Sequence, residues 1–299
     1  MTRAAIVLGL VIAAAAVTAQ QRQPVLRSGT SSVAVHVLVS DSKGPVRNLA
    51  ASDFILTDSG VRQEIATITT ELLPLDVSLV IDQLEQSEYA KRYRHPHVEQ
   101  IEDLLAPVDR IRVVSIGSDV RDVIPLGAPG RSIGTNPESA SDLGAVYDGV
   151  ASALLRGSPA GRQHVVVVLT EGYDAYSFTS PETLIDISQR SNAQVYVVMA
   201  QGWLTKSRSR ARAWSLLPPD DGLQSLVDLA RATGGDLINV GRTTRDLTSP
   251  VKRVFDDVRA GYVLYYTPTG VNDRGWHPIT VAISRAGKFT VRSRSGYAD

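Results

Sequence analysis

The run His164-Val-Val-Val-Val-Leu-Thr170 admits few surroundings. Side chains of a strand alternate between two faces, so four consecutive valines place branched apolar groups on both. Such a strand has to be covered on each side, as an inner parallel strand of an α/β sheet is. Further apolar runs recur at Val77–Ile81, Ile111–Ile116, Val195–Met199 and Leu237–Val240. Between them lie helical periodicities: Val98, Ile101, Leu104 and Leu105 share one face, as do Leu143, Val146, Val150 and Leu154. The segment LQSLVDLARATGG ends on Gly234 and Gly235, a helix stop. Strand–helix alternation of this kind predicts a doubly wound, mostly parallel α/β sheet of the Rossmann-like class across residues 75–259.

The flanks follow a different rhythm. Val33, Val35, Val37 and Val39 recur with period two, DSKGPV reads as a tight turn, and DFILTDSG is a short strand closed by a second turn. At the other end AGYVLYYTPTG, HPITVAISRAG and KFTVRSRSGY read as three strands joined by glycine-containing turns. Each end is too short to bury a core alone. Residues 20–74 and 260–299 are therefore expected to form one small β domain beside the α/β domain.

Arg3, the apolar stretch Ala4–Ala16 and the small residues of Val17-Thr18-Ala19 form a signal-peptide pattern over 1–19, with cleavage before Gln20. The alternative is an uncleaved N-terminal anchor. No later apolar run is long enough to span a bilayer, so the mature chain is expected to be exported, as a bacterial periplasmic or secreted protein. Lys plus Arg and Asp plus Glu each number 31, which gives no reason to expect nucleic acid as a partner. Cysteine is absent, which excludes disulfides, thiol catalysis and cysteine-based zinc sites.

Three pieces fall in order: a strand ending in Asp82, GAVYDGV (Gly144–Val150) opening a helix, and HVVVVLTEGYD (His164–Asp174) running into Thr170-Glu171-Gly172. Together they resemble the von Willebrand factor A-type (VWA) domain, which carries a metal-ion-dependent adhesion site on its upper face. The β-rich flanks are similar to those of the exported VWA-related family first described from Acidobacteria. The resemblance implies a site that begins Asp-x-Ser-x-Ser and is completed by a loop Thr and the Asp of a Thr-Asp-Gly turn. Oxygen ligands of that kind suit Mg²⁺. In this chain Asp82 keeps the first position, Leu84 and Gln86 replace the serines, Gly144 replaces the threonine, and Glu171 replaces the second acid. Ser87 and Ser141 are nearby substitutes. The resemblance thus leaves a degenerate site: no cofactor is expected, and a weak, water-rich Mg²⁺ site from Asp82, Gln86 and Glu171 is the alternative.

Other clusters have duller readings. Arg92–His97 holds two histidines beside a proline and reads as a loop or helix start. Lys206–Trp214 is basic and follows a strand, on the same edge as Asp82. Tyr262, Tyr265, Tyr266 and Trp276 read as strand packing, His36 and His164 as packed histidines, and Glu102/Asp103 and Asp256/Asp257 as solvated helix faces. Gly-x-Ser-x-Gly, P-loop and His-Glu-x-x-His patterns are absent. The expected function is a non-enzymatic protein-binding module whose binding face includes Asp82, Gln86, Ser87, Gly144 and Glu171. Two alternatives stay open: a hydrolase using Asp82 and Glu171 as an acid/base pair, and a scaffold that recruits partners through a sheet edge.

Overall fold

The computed structural model describes residues 32–70, 73–82, 96–117, 119–131, 144–170, 172, 174, 177–200, 222–240, 247–272 and 274–298. The signal-peptide pattern lies outside them. First come β1 (Val33–Asp41), β2 (Gly44–Pro45), a 3₁₀ turn (Ala51–Asp53), β3 (Phe54–Asp58), β4 (Val61–Gln63) and β5 (Ile65–Thr69). The α/β part begins with β6 (Leu75–Asp82), α1 (Pro96–Glu102), β7 (Arg110–Ile116), β8 (Val120–Gly127) and α2 (Val146–Leu155). It continues through β9 (Gln163–Thr170), α3 (Pro181–Arg190), β10 (Gln194–Ala200), α4 (Gly222–Ala232), β11 (Leu237–Val240) and α5 (Thr248–Ala260). The strands β12 (Tyr262–Tyr266), β13 (Trp276–Ile283), β14 (Thr290–Ser293) and β15 (Gly296–Ala298) close the chain.

The central sheet has the order β11-β10-β9-β6-β7-β8. Every residue of β9 is buried. Val165 and Val167 join a cluster with Val98 and Ile101 of α1 and Val254 and Phe255 of α5. Val166 and Val168 face the other way, against Val150 of α2, Leu184 of α3 and Leu229 of α4. The alternating valines therefore feed two separate cores, one under each helical layer. The sheet is mixed rather than wholly parallel, because β8 runs antiparallel to β7 with two register shifts. Gly117 donates its N–H to the Asp119 carbonyl at 2.9 Å, so the chain reverses too tightly for a crossover helix. Pro125 and the charged pair Arg121-Asp122 suit β8 to an edge, where only Ile124 is buried.

The flanking strands form two further sheets. In one, β1 lies between β12 and β14, with β5 on the far side of β12; the other has the order β15-β13-β3-β4. Val35, Val37, Leu56, Leu264 and Ile279 meet in their shared core. Tyr262 and Tyr266 are buried there, whereas Trp276 is 41 % exposed. The Tyr262 hydroxyl accepts from Leu49 N at 3.1 Å and donates to the Val46 carbonyl at 2.9 Å. Asp58 is fully buried and accepts from the hydroxyls of Tyr266 at 2.8 Å, Tyr297 at 3.1 Å and Ser59 at 3.0 Å. Burial alone would raise its pKa, but these bonds hold it below the usual carboxylate range.

Two acids expected on solvated helix faces are drawn into the structure: one is buried and one is half-buried in an ion pair. Glu102 is 3 % exposed, because α1 packs against both the sheet and α5. Asp257 is held by Arg292 at 2.5 Å, an ion pair that ties α5 to β14.

His164 is packed, as its strand position requires, and this has a pH consequence. Its Nε2 meets the Ser78 hydroxyl at 2.9 Å, and the same hydroxyl accepts from Arg112 Nε at 2.9 Å. Burial first, then the Arg112 charge, push the histidine from 6.5 down to about 4. Between those values the unfolded chain binds a proton that the folded one refuses, so stability falls as pH falls through this window. His36, partly exposed and also pushed down to about 4, adds to the effect with the same sign. The His164 contribution is about 1.4 kcal/mol per pH unit. Urea unfolding at stepped pH is expected to show loss beginning near 6.5, and His164→Gln is expected to flatten the slope.

Candidate functional site

Numbered by appearance, the central strands run 3-2-1-4-5-6 from the β8 edge, so the order reverses between β6 and β9. In open α/β sheets ligands bind beyond the carboxyl ends of the strands at that reversal. Asp82 is the last residue of β6 and Thr170 the last of β9. The Thr170 hydroxyl donates to Asp82 Oδ2 at 2.8 Å and accepts from Gly172 N at 2.9 Å. Asp82 is only 6 % exposed, so its carboxylate is a buried crosslink between the two strands rather than an open ligand.

Gly144 lies against the same carboxylate. A Cβ added at this position would stand 2.6 Å from Asp82 Oδ1. The Asp82 side chain therefore occupies the space in which a threonine at 144 would begin. Of the expected site residues, the fold brings Asp82 and Gly144 together. Gln86, Ser87 and Glu171 lie outside the described residues, as do Leu84, Ser141 and the basic segment Lys206–Trp214.

The donor set here does not match the one the resemblance implies for Mg²⁺. Among the described residues the oxygens at this place are those of Asp82 and Thr170, already bonded to each other, and Gly144 supplies none. No group of three His, Cys, Asp or Glu side chains that could hold a metal occurs among the described residues.

Beside the crest, the loop after β9 is fastened to the start of α2. Ala145, at the helix N-cap, has no side chain to cap it. Asp174 takes over: its Oδ1 accepts from Tyr147 N at 3.0 Å and from the Ser177 hydroxyl at 2.6 Å. Burial raises the Asp174 pKa, an effect that the hydrogen bonds from Ser177 and the helix backbone partly offset. Asp148, in the first turn of α2, accepts from Phe178 N at 3.0 Å and Thr179 N at 2.8 Å. Thr170 and Asp174 carry much of this geometry; both lie within the HVVVVLTEGYD motif, yet neither stands out there as a site residue. The local signal for Asp174 was negative: an amphipathic helix opening after Gly-Ala, without a cap of its own.

At the opposite, amino edge of the sheet lies a cavity of about 20 Å³, lined by His36, Gln163, Gln194, Tyr196, Asp257 and Arg259 among others. It has room for a single water, not for a substrate.

The reversed strand order, the strand-end carboxylate and the helix start facing it recreate the arrangement that the sequence resemblance implied. The fold is VWA-like. No protein-family model matches the chain, and no curated protein matches it. Among solved structures, a von Willebrand factor type A protein from Catenulispora acidiphila aligns at 12 % identity and TM-score 0.44, over 88 % of this chain and 73 % of that one. The ArnB paralog VWA2 from Sulfolobus acidocaldarius aligns at 11 % identity and TM-score 0.42, over 89 % and 75 %. An aerotolerance-related membrane protein from Bacteroides fragilis aligns at 17 % identity and TM-score 0.41, over 62 % and 98 %. Likeness at these identities concerns the backbone and is silent on ligands. Among the described residues of this chain, no helix is long and apolar enough to cross a membrane.

Proposed function

We propose that the chain is an exported, non-enzymatic binding module of the VWA class, whose upper face docks a protein without a resident divalent cation. Export rests on the signal-peptide pattern of residues 1–19. The binding face is the carboxyl edge of the central sheet, where Asp82 ends β6 and Gly144 lies against it; Gln86, Ser87 and Glu171 are assigned to it from the sequence. The observation that carries the reading is the Thr170–Asp82 hydrogen bond over Gly144, which commits the principal carboxylate to the protein's own framework. A general acid or base would need that carboxylate facing a substrate pocket, and here it is a buried brace.

Magnesium or manganese titration by calorimetry is expected to show no binding tighter than about millimolar, the weak end of the range for oxygen-ligand sites. A micromolar site that disappears in Asp82→Ala would overturn the metal-free reading. Partner binding is tested by affinity capture from the native envelope fraction, with partners identified by mass spectrometry. Recovery of one protein by wild type and by an Asp82→Ala variant shown to be folded would argue against this face as the contact.

A further inference from the structure

We propose that Phe178 is the aromatic anchor of the docking surface, and that it receives a protein segment combining an apolar group with basic side chains. The inference rests on the reading that the upper face docks a protein, and it names the chemistry of the partner. Phe178 is 100 % exposed. Solvent-facing aromatics are ordinarily laid down on neighbouring apolar surface, and this one is held away from any.

The backbone beneath it is immobilised. Phe178 N and the following Thr179 N donate to the two carboxylate oxygens of Asp148, at 3.0 and 2.8 Å. The preceding Ser177 hydroxyl donates to Asp174 at 2.6 Å and accepts from Asp148 N at 3.1 Å. On the far side Ser180 caps α3, accepting from Thr183 N at 3.2 Å. The ring is therefore presented on a loop whose ordering cost is met before any partner arrives, which is how interface anchors gain affinity. The residues next to it in the chain, Ser177, Thr179 and Ser180, are hydroxyl-bearing, groups that tolerate desolvation when a partner supplies hydrogen bonds.

Charge identifies the partner's other half. Asp148 lies beneath the loop, and Glu182 and Asp186, both exposed, share one face of α3, the helix that follows the loop. The helix α2 contains no lysine or arginine, and the first basic residue after Phe178 is Arg190, exposed at the end of α3. A segment that seats an apolar group on Phe178 meets Glu182 and Asp186 before it reaches Arg190, so lysine or arginine is selected next to the apolar group.

The test is panning a phage-displayed random dodecapeptide library on the full chain, then measuring the enriched peptides by fluorescence anisotropy. The expected consensus is an apolar cluster flanked by lysine or arginine. Phe178→Ser is expected to weaken binding at least about tenfold with an unchanged thermal melt. Glu182→Lys, or raising salt from about 50 to about 500 mM, is expected to weaken it further. Enriched peptides that bind Phe178→Ser as tightly as wild type, that lack basic residues, or that do not emerge would overturn the inference. If peptides survive Phe178→Ser but are lost in a folded Asp82→Ala variant, the anchor is refuted and the upper-face reading stands. If they survive both, both readings fall.

Discussion

Replacing Asp76 with alanine is expected to lower stability by about 3 kcal/mol, the cost of removing one partner of a buried charge cluster. Asp76 is the second residue of the central strand β6 and is 1 % exposed. Its Oδ1 accepts from Arg110 Nε at 2.8 Å and Arg162 Nε at 2.6 Å. Its Oδ2 accepts from Arg110 Nη2 at 2.5 Å and Ser158 Oγ at 2.9 Å. One carboxylate thus joins β6, β7 and the turn that enters β9. Arg162 spans further, donating from Nη2 to the carbonyls of Leu75 at 2.8 Å and Val108 at 2.9 Å. Without Asp76 two guanidinium groups face each other at the amino edge of the sheet. Their side chains are 36 % and 19 % exposed, so water relieves part of the repulsion and the cost stays near the lower end of the range for such clusters.

The pH dependence separates this cluster from the histidines. Burial by itself would raise the Asp76 pKa, and the bonds from Arg110, Arg162 and Ser158 reverse that, leaving it below 3.8. A carboxylate depressed in the folded state stabilises above its unfolded pKa and ceases to do so as pH falls through the folded one. The gap in urea midpoint between wild type and Asp76→Ala is therefore expected to hold at neutral pH. It should close only at strongly acid pH, below the range in which His164 titrates.

What could be read from the sequence follows the distance over which each cause acts. Four valines in a row dictate a doubly covered strand because the cause is the alternation of neighbouring side chains. The helix stop at Gly234 is equally local. The reversal into β8 was not legible: Val120–Gly127 buries only Ile124 and breaks its alternation with Pro125, a pattern that an edge strand shares with a loop. The end-of-strand position of Asp82 was legible. Its bond to Thr170, 88 residues away, was not, because that pairing exists only once β6 and β9 lie side by side. Asp174 as the cap of α2 is a case of the same kind, reaching back 27 residues to Tyr147. The exposure of Phe178 has no sequence signature, since the same residue in the same setting would be core if the loop turned inward. The strand-end acid was thus visible before the fold, and whether it faces out or in was decided by partners that the fold supplied.

The second large effect is expected at Gly235, where alanine should cost more than about 3 kcal/mol, the range of backbone displacement rather than of lost propensity. The end of α4 is a Schellman motif: Gly234 N donates to the Arg231 carbonyl at 3.1 Å, and Gly235 N to the Ala230 carbonyl at 2.9 Å. Gly234 adopts the left-handed conformation that the motif needs, with φ at +81°. Gly235 is constrained differently, since a Cβ added there would overlap the carbonyl oxygen of Val195 in β10. The neighbouring contacts explain why neither backbone can yield. Val195 N donates to the Thr233 hydroxyl at 3.0 Å, and Val197 N to the Asp236 carbonyl at 3.0 Å. The carbonyl before this turn, that of Ala232, accepts from Ser295 N at 2.8 Å. To admit one methyl group, β10 has to part from the turn that starts β11, and the C-terminal strands lose their seat on α4. Alanine at 234 strains the left-handed turn and brings its Cβ to 2.8 Å from the Ser293–Arg294 backbone, a milder overlap that leaves β10 in place, so it should cost less than alanine at 235. Thermal melts of Gly234→Ala and Gly235→Ala check this order, and the reverse ranking would mean that the turn conformation, not the approach to Val195, fixes this edge of the sheet.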